Sequence, residues 1–242
     1  MLIKTEAIVL HSLKYGEQRV IVDMFTRAQG RVSFIVSLPK TNKGKLKKQY
    51  FQPMTLLSIE ADLRPQTQLQ KLRDASLLLP LSSLHSDPPK LSIALFLSEF
   101  LCHSLKSEQQ NEPLFQYVTS SMEWLDGCTA HYANFHLVFL MRLSRFLGFY
   151  PNLDDYTDGA CFDLRNATFC TSPPLHQDFL LPQEASHIQL LMRMNYTSMH
   201  LFRLTRAERN RILELLLLYY RLHLPDFPEL RSLDVLHELF NA

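Results

Sequence analysis

The sequence predicts an α+β chain of two domains: a five-stranded closed barrel, then a mostly α-helical domain carrying a small β-hairpin insertion. Three observations predict it. The first 80 residues alternate with the two-residue period of strands, residues 80–89 ("PLSSLHSDPP") break every period, and beyond them apolar residues recur at spacings of three and four. With 242 residues and 46% hydrophobic content, the chain is long enough to bury real cores.

The predicted strands are "EAIVLHS", "RVIVDMFT", "RVSFIVSL", "MTLLSIEA" and "QLQKLRDA", each short and rich in Val, Ile, Leu or Phe. Gly16 in "KYGEQ" and Gly30 in "RAQGR" supply the positive φ that lets the chain reverse. Five strands in about 75 residues suit a small barrel without exposed edges, a pattern an SH3-like barrel would share. The barrel is placed at residues 1–80 and the helical domain at 81–242. Its helices are "KLSIALFLSEFLCHSLK", "PLFQYVTSSMEWL", "NFHLVFLMRLSRFLGF", "TRAERNRILELLLLYYRLHL" and a closing "SLDVLHELF". Thr205 and Glu208 have capping-box spacing, and Pro225 ends the helix they start. The insertion lies near residues 156–176, where "ACFDLRNATFC" reads as a hairpin turning at Arg165 and Asn166.

Enzyme signatures are missing from the sequence. It has no G-x-S-x-G elbow, no H-E-x-x-H and no glycine-rich phosphate loop, and its ten histidines are scattered. No catalytic residue is therefore assigned. The four cysteines form no CxxC pair. Cys161 and Cys170, with Asp158, Asp163 and His176 nearby, fall short of the four soft ligands of a structural zinc site, so no metal is expected. The N-terminus does not read as a secretory signal. The longest apolar runs, such as "LLLLYY", are far below the ~20 residues of a membrane span, so a cytoplasmic protein is expected.

Charge is where the sequence speaks of a partner. The formal net charge is +1, yet residues 1–80 carry 13 Lys and Arg against 6 Asp and Glu, net +7, and the remainder is −6. A basic front suggests an anionic partner. Its densest part is "KTNKGKLKK", with Lys40, Lys43, Lys45, Lys47 and Lys48, followed at once by Tyr50 and Phe51. Such a run is often only a solvated face. Here it lies between two strands, and Arg19, Arg27 and Arg31 add to it. Lysines that hold phosphates beside an aromatic on which a base can stack are the equipment of single-strand binding domains. Neighbours on a strand face opposite ways, so at most one of Tyr50 and Phe51 is free to stack. DNA-binding candidates are thus Arg19, Arg27, Arg31, Lys40, Lys43, Lys45, Lys47, Lys48 and Tyr50.

These stretches also carry a resemblance. "EAIVLHSLKYGEQRVIVDMFTRAQGRVSFIV" resembles the first strands of the bacterial recombination mediators of the RecO family, "FLMRLSRFLGFYPNLD" is similar to that family's "LL..LGF.P.L" helix end, and "LRSLDVLHEL" to its C-terminal helix. The resemblance implies an OB-fold barrel and a non-enzymatic protein of recombinational DNA repair. It implies binding to single- and double-stranded DNA, strand annealing, partnership with RecR, and help in loading RecA onto DNA coated by single-strand-binding protein. Among the matching positions, Gly30 is expected to be structural, Arg31 a DNA contact, and Glu17 and Thr26 framework residues. The acidic tail of single-strand-binding protein is expected on the helical domain, with Arg142, Arg145 and Phe146 as candidates. Many family members hold a four-cysteine zinc site after "LGF.P.L", whereas "DDYTDGACFDLRNATFCTSPP" lacks both CxxC knuckles, so a hairpin without cofactor is expected. Two other readings stand beside this one: an adaptor whose basic barrel meets an acidic protein, and a hydrolase using Cys161 or Cys170 with a distant histidine.

Overall fold

The computed structural model describes residues 1–39, 46–106 and 108–239. The chain forms two compact units, one of Met1–Gly127 with Leu230–Leu239 and the other of Cys128–Glu229.

The first unit opens with strands β1 (Leu2–Lys14), β2 (Arg19–Thr26), β3 (Gly30–Ser37), β4 (Leu56–Asp62) and β5 (Leu69–Leu79). They close a barrel in the order β1-β2-β3-β5-β4, the OB-fold arrangement expected. Closure depends on β1, which pairs with β4 through Leu2–Ile8 and with β2 from Ala7 to Lys14. A bulge at Leu10 bends it between those duties, since the register jumps from Val9 to His11. The last seam is short: β3 and β5 run parallel and pair only through Ser33, Phe34 and Ile35 against Leu69, Gln70 and Lys71. Alternation turns Val22, Met24, Phe34, Val36, Leu57, Ile59 and Leu72 into one core, closed at one end by Phe51. Each such side chain, fully buried, contributes about 1.5–3 kcal/mol.

Gly30 shows why its turn admits no other residue. Its φ is +69°, and a Cβ there would stand 2.3 Å from the Glu108 carbonyl oxygen. The Thr26 hydroxyl, fully buried, donates to the Gly30 carbonyl at 2.9 Å and accepts from the Gln29 amide at 3.1 Å. Thr26 is thus the framework residue expected, while Glu17 lies exposed.

Helices α1 (Ser82–Ser86), α2 (Pro88–Ser104), α3 (Glu112–Gly127) and α7 (Ser232–Leu239) complete the unit. The proline-rich stretch is more structured than its composition suggests. Asp87 caps α2 by accepting from the Lys90 amide at 3.3 Å, and Pro88 sits in the first turn, where a missing N–H costs nothing. Helix α2 lies on the barrel, where the Ser98 hydroxyl donates to the carbonyl of the bulged Leu10. Phe115 of α3 packs on Phe25 at 5.8 Å. Helix α7 is held to α2 by Glu99, whose carboxylate accepts from the amides of Arg231 (3.1 Å) and Ser232 (2.8 Å).

In the second unit, α4 (Phe135–Phe146) packs against α5 (Pro182–Arg193) and α6 (Arg206–His223). The Tyr220 hydroxyl, fully buried, donates to the Leu140 carbonyl at 2.7 Å. Thr205 and Glu208 form the predicted capping box. The hairpin pairs β6 (Cys161–Asp163) with β7 (Thr168–Cys170), and β8 (Phe179–Leu180) adds a third strand beside β6. No described helix is long and apolar enough to cross a membrane.

Candidate nucleic-acid interface

The exposed flank of the barrel is built from two turns and a short seam. In the β1–β2 turn, Gly16 takes φ +75° and the Tyr15 amide donates to the Arg19 carbonyl at 2.8 Å. The Leu38 amide then donates to the Gln18 carbonyl at 2.7 Å, tying the turn to the end of β3. In the β4–β5 turn, Gln70 works as a clamp: its side-chain oxygen accepts from the Arg64 amide at 2.7 Å, and its nitrogen donates to the carbonyls of Arg64 (3.0 Å) and Thr67 (2.5 Å). A 3-10 turn, Lys48–Phe51, precedes β4.

These elements frame two grooves. One is lined by Arg19, Ile35, Ser37, Leu46, Arg64, Lys71 and others, the second by Ser12, Val20, Leu38, Leu46, Lys47, Lys48 and others. Leu46 borders both, so the two grooves adjoin near the ends of β2 and β3, the β3–β5 seam and the β4–β5 turn. That is the surface by which OB-folds hold oligonucleotides.

The cations of the barrel fall into two classes. Arg19, Lys47, Lys48, Arg64 and Lys71 are exposed and make no ion pair among the described residues. Arg73 borders the same groove but leans on Asp62 at 3.2 Å, and its guanidinium, with the N-terminal amine, holds the Asp62 carboxyl below its ordinary value. Arg27 and Arg31 are different. The Arg27 guanidinium donates to Glu112 at 2.8 Å and to Glu6 at 3.0 Å, and these carboxylates push its pKa up. Arg31 donates to Asp23 at 3.2 Å, beside the Cys102 thiol, and its backbone amide donates to the Glu108 carbonyl. The Arg31 and Asp23 side chains are only 18% and 17% exposed.

Lys40, Lys43 and Lys45 lie outside the described residues. Of the two aromatics after the lysine run, Phe51 is core and Tyr50 is half-buried against that core, with the Lys47 ammonium 6.0 Å from its ring centroid. Sequence reasoning counted Arg64, Lys71 and Arg73 as charge without placing them at a site. Their signal was available, since Lys71 and Arg73 alternate with the buried Leu72.

With this geometry in place, similarity to known proteins bears on it directly. The family model "Recombination protein O N terminal" matches residues 1–81, and "Recombination protein O C terminal" matches residues 85–234. The chain belongs to the RecO family. It is 54% identical to the DNA repair protein RecO of Phocaeicola vulgatus and 53% identical to that of Bacteroides fragilis, each over the full length of both chains. It is 39% identical to the DNA repair protein RecO of Azobacteroides pseudotrichonymphae, again over all of both chains. A role in recombination and DNA repair follows from membership in the RecO family.

The second unit carries the remaining predicted residues. Arg142 donates to the Met194 carbonyl at 3.0 Å, tying α4 to the end of α5. Arg145 is exposed and lies 5.6 Å from the Tyr150 ring centroid, and Phe146 is half-buried. In the hairpin, Cys161 and Cys170 stand opposite each other, but the other donors are engaged. Asp163 accepts from the amides of Arg165 (2.9 Å) and Asn166 (3.1 Å), from the Asn166 side chain (2.7 Å), and pairs with His176 at 3.4 Å. Burial pushes the Asp163 carboxyl up, yet these bonds outweigh it and leave the group below its ordinary value. Among the described residues, no group of three or more His, Cys, Asp or Glu is placed to hold a metal. Burial also pushes the Cys170 thiol up, the opposite of what a thiolate nucleophile needs.

Proposed function

We propose that this chain is a DNA-binding recombination mediator that works by charge neutralisation and strand juxtaposition, without covalent chemistry or a cofactor. One observation carries the reading: among the described residues Arg19, Lys47, Lys48, Arg64 and Lys71 line two adjoining barrel grooves without an ion pair, while Glu6, Glu112, Asp23 and Asp62 are taken up by Arg27, Arg31 and Arg73. In water, unpaired cations on a rigid scaffold bind a polyanion by releasing its condensed counterions, which makes the surface competent for single and double strands alike. Holding two strands on one basic surface lowers their mutual repulsion, the physical requirement for annealing.

In this reading Arg27 and Arg31 are framework cations, and Lys40, Lys43 and Lys45 remain DNA-contact candidates by their charge. The mediator acts in the cytoplasm with RecR and helps load RecA onto DNA coated by single-strand-binding protein. The acidic tail of that protein docks on the helical domain at Arg145 and Phe146. The hairpin is held by Asp163 in place of a metal.

The test is a binding series on labelled single-stranded DNA, duplex DNA and an acidic polypeptide between 50 and 200 mM salt, with an annealing assay in parallel. Binding to both DNAs that weakens steeply with salt, together with faster annealing, is the expected result. Retention of the acidic polypeptide with no DNA binding at 50 mM salt would replace this reading with that of a protein-binding adaptor.

A further inference from the structure

The reading above rests on charge, and charge alone cannot tell an open strand from a duplex. The β1–β2 turn carries the group that can. Tyr15 is 52% exposed, although it is a large aromatic at a fixed point of the backbone. Its amide is held by the Arg19 carbonyl at 2.8 Å, the positive φ of Gly16 follows it, and the Leu38 amide locks the far side of the turn at Gln18. No described ring or hydrogen-bonding group engages the Tyr15 side chain. Most of the other barrel aromatics are buried: Phe25, Phe34 and Phe51 lie in the interior, and Tyr50 is packed against the core.

The position of the turn gives this ring its meaning. Ser12 and Val20, the strand residues on either side of it, line the groove that holds Lys47 and Lys48, while Arg19 lines the groove that holds Arg64 and Lys71. The turn therefore stands beside both cationic grooves. A strand whose phosphates follow those cations passes the turn, and an unpaired base can leave its neighbours to lie on a ring there. A duplex cannot offer that base, because both of its faces are already covered by stacking.

We propose that Tyr15 is a base-stacking residue for single-stranded DNA, adding to the charge-driven affinity of the barrel a contact that duplex DNA does not share. This deepens the DNA-binding reading and rests on it. The ring is exposed, so its removal leaves the core intact.

The experiment titrates wild type, Tyr15→Ala and Tyr15→Phe against a labelled thymidine oligonucleotide and a duplex of equal length at fixed salt. Loss of one stacked base weakens single-strand binding about 5- to 150-fold, so Tyr15→Ala is expected to fall in that range while its duplex affinity changes less than about 2-fold. Tyr15→Phe, which keeps the ring, is expected to bind both as wild type does. Wild-type single-strand affinity in Tyr15→Ala would overturn the proposal, as would an equal loss on duplex or a Tyr15→Phe as weak as the alanine variant. If wild type bound neither DNA, the DNA-binding reading itself would fall, an outcome distinct from the failure of Tyr15 alone.

Discussion

Changing Arg19, Arg64 and Lys71 together to glutamine removes three of the five described cations that line the two grooves without a carboxylate partner. For single-stranded DNA each phosphate contact contributes about 0.7 to the slope of log affinity against log salt, so five contacts give about −3.5 and the loss of three shallows the slope by about 2. Taking the two proteins as equal near 1 M salt, where counterion release contributes nothing, the variant is weaker at 0.1 M by about two powers of ten, or about 3 kcal/mol. Lys40, Lys43 and Lys45 can steepen both slopes, but the difference between them belongs to the three residues changed. Fluorescence anisotropy of a labelled oligonucleotide from 50 to 400 mM salt measures it. All three side chains are exposed, so a melting temperature within about 2 °C of wild type is expected and separates lost contacts from lost fold. An unchanged slope with intact folding would refute the assignment of this groove.

Arg31→Gln tests the other class of cation: removing the partner of the mostly buried Asp23 should cost about 2 kcal/mol in thermal or urea unfolding and leave the salt slope of DNA binding unchanged. A shallower slope would return Arg31 to the DNA surface. Glu99 gives a pH dependence. Burial pushes its carboxyl up, but hydrogen bonds from the Ser232 hydroxyl and amide and the Arg231 amide, with His103 nearby, leave it below the ordinary 4.5. A carboxyl whose folded pKa is lowered stabilises the fold fully above its unfolded value and loses that contribution as pH falls through the folded one. Wild type should therefore exceed Glu99→Gln in melting temperature above about pH 4.5, with the gap closing below it. A gap that widened on acidification would contradict the hydrogen bonding that anchors α7.

Much of the barrel was legible because its core follows a two-residue period, and Gly30 could be singled out because a reversal at that point needs positive φ. Helices α1 and α5 were not legible. The first hides among prolines, one of which is harmless in the first turn of the next helix. The second buries only Ala185, Ile188 and Leu191 on an otherwise polar segment, too thin a stripe to stand out. At the site, charge density could be read from composition, but pairing could not. Arg27 meets Glu6 across 21 residues and Glu112 across 85, distances over which no local pattern carries information. The Tyr15 ring was hidden for a different reason: exposure of an aromatic is a property of the finished surface, and beside Gly16 it read only as part of a turn.

The division of the cations follows from how the barrel is covered. Helices α2 and α3 lie on one flank, and there the barrel's polar groups are satisfied locally, because the helices shield them from most of the solvent: Arg31 takes Asp23, and the Leu10 carbonyl takes Ser98. Arg27, at the edge of that cover, meets Glu112 from the start of α3. At the groove by the β3–β5 seam, Arg19, Arg64 and Lys71 are exposed and keep their hydration and their charge at little cost to the fold. A seam of only three paired residues on each strand adds little stability by itself, and five unpaired cations around it repel one another. A fold optimised for stability alone would place acids among them, as it does beside Arg27 and Arg73. The acid that does line this groove, Asp62, is already held by Arg73 and the N-terminal amine, so a polyanion would complete the cations left over, and binding should therefore raise the melting temperature of the barrel in proportion to the affinity lost by the triple glutamine variant.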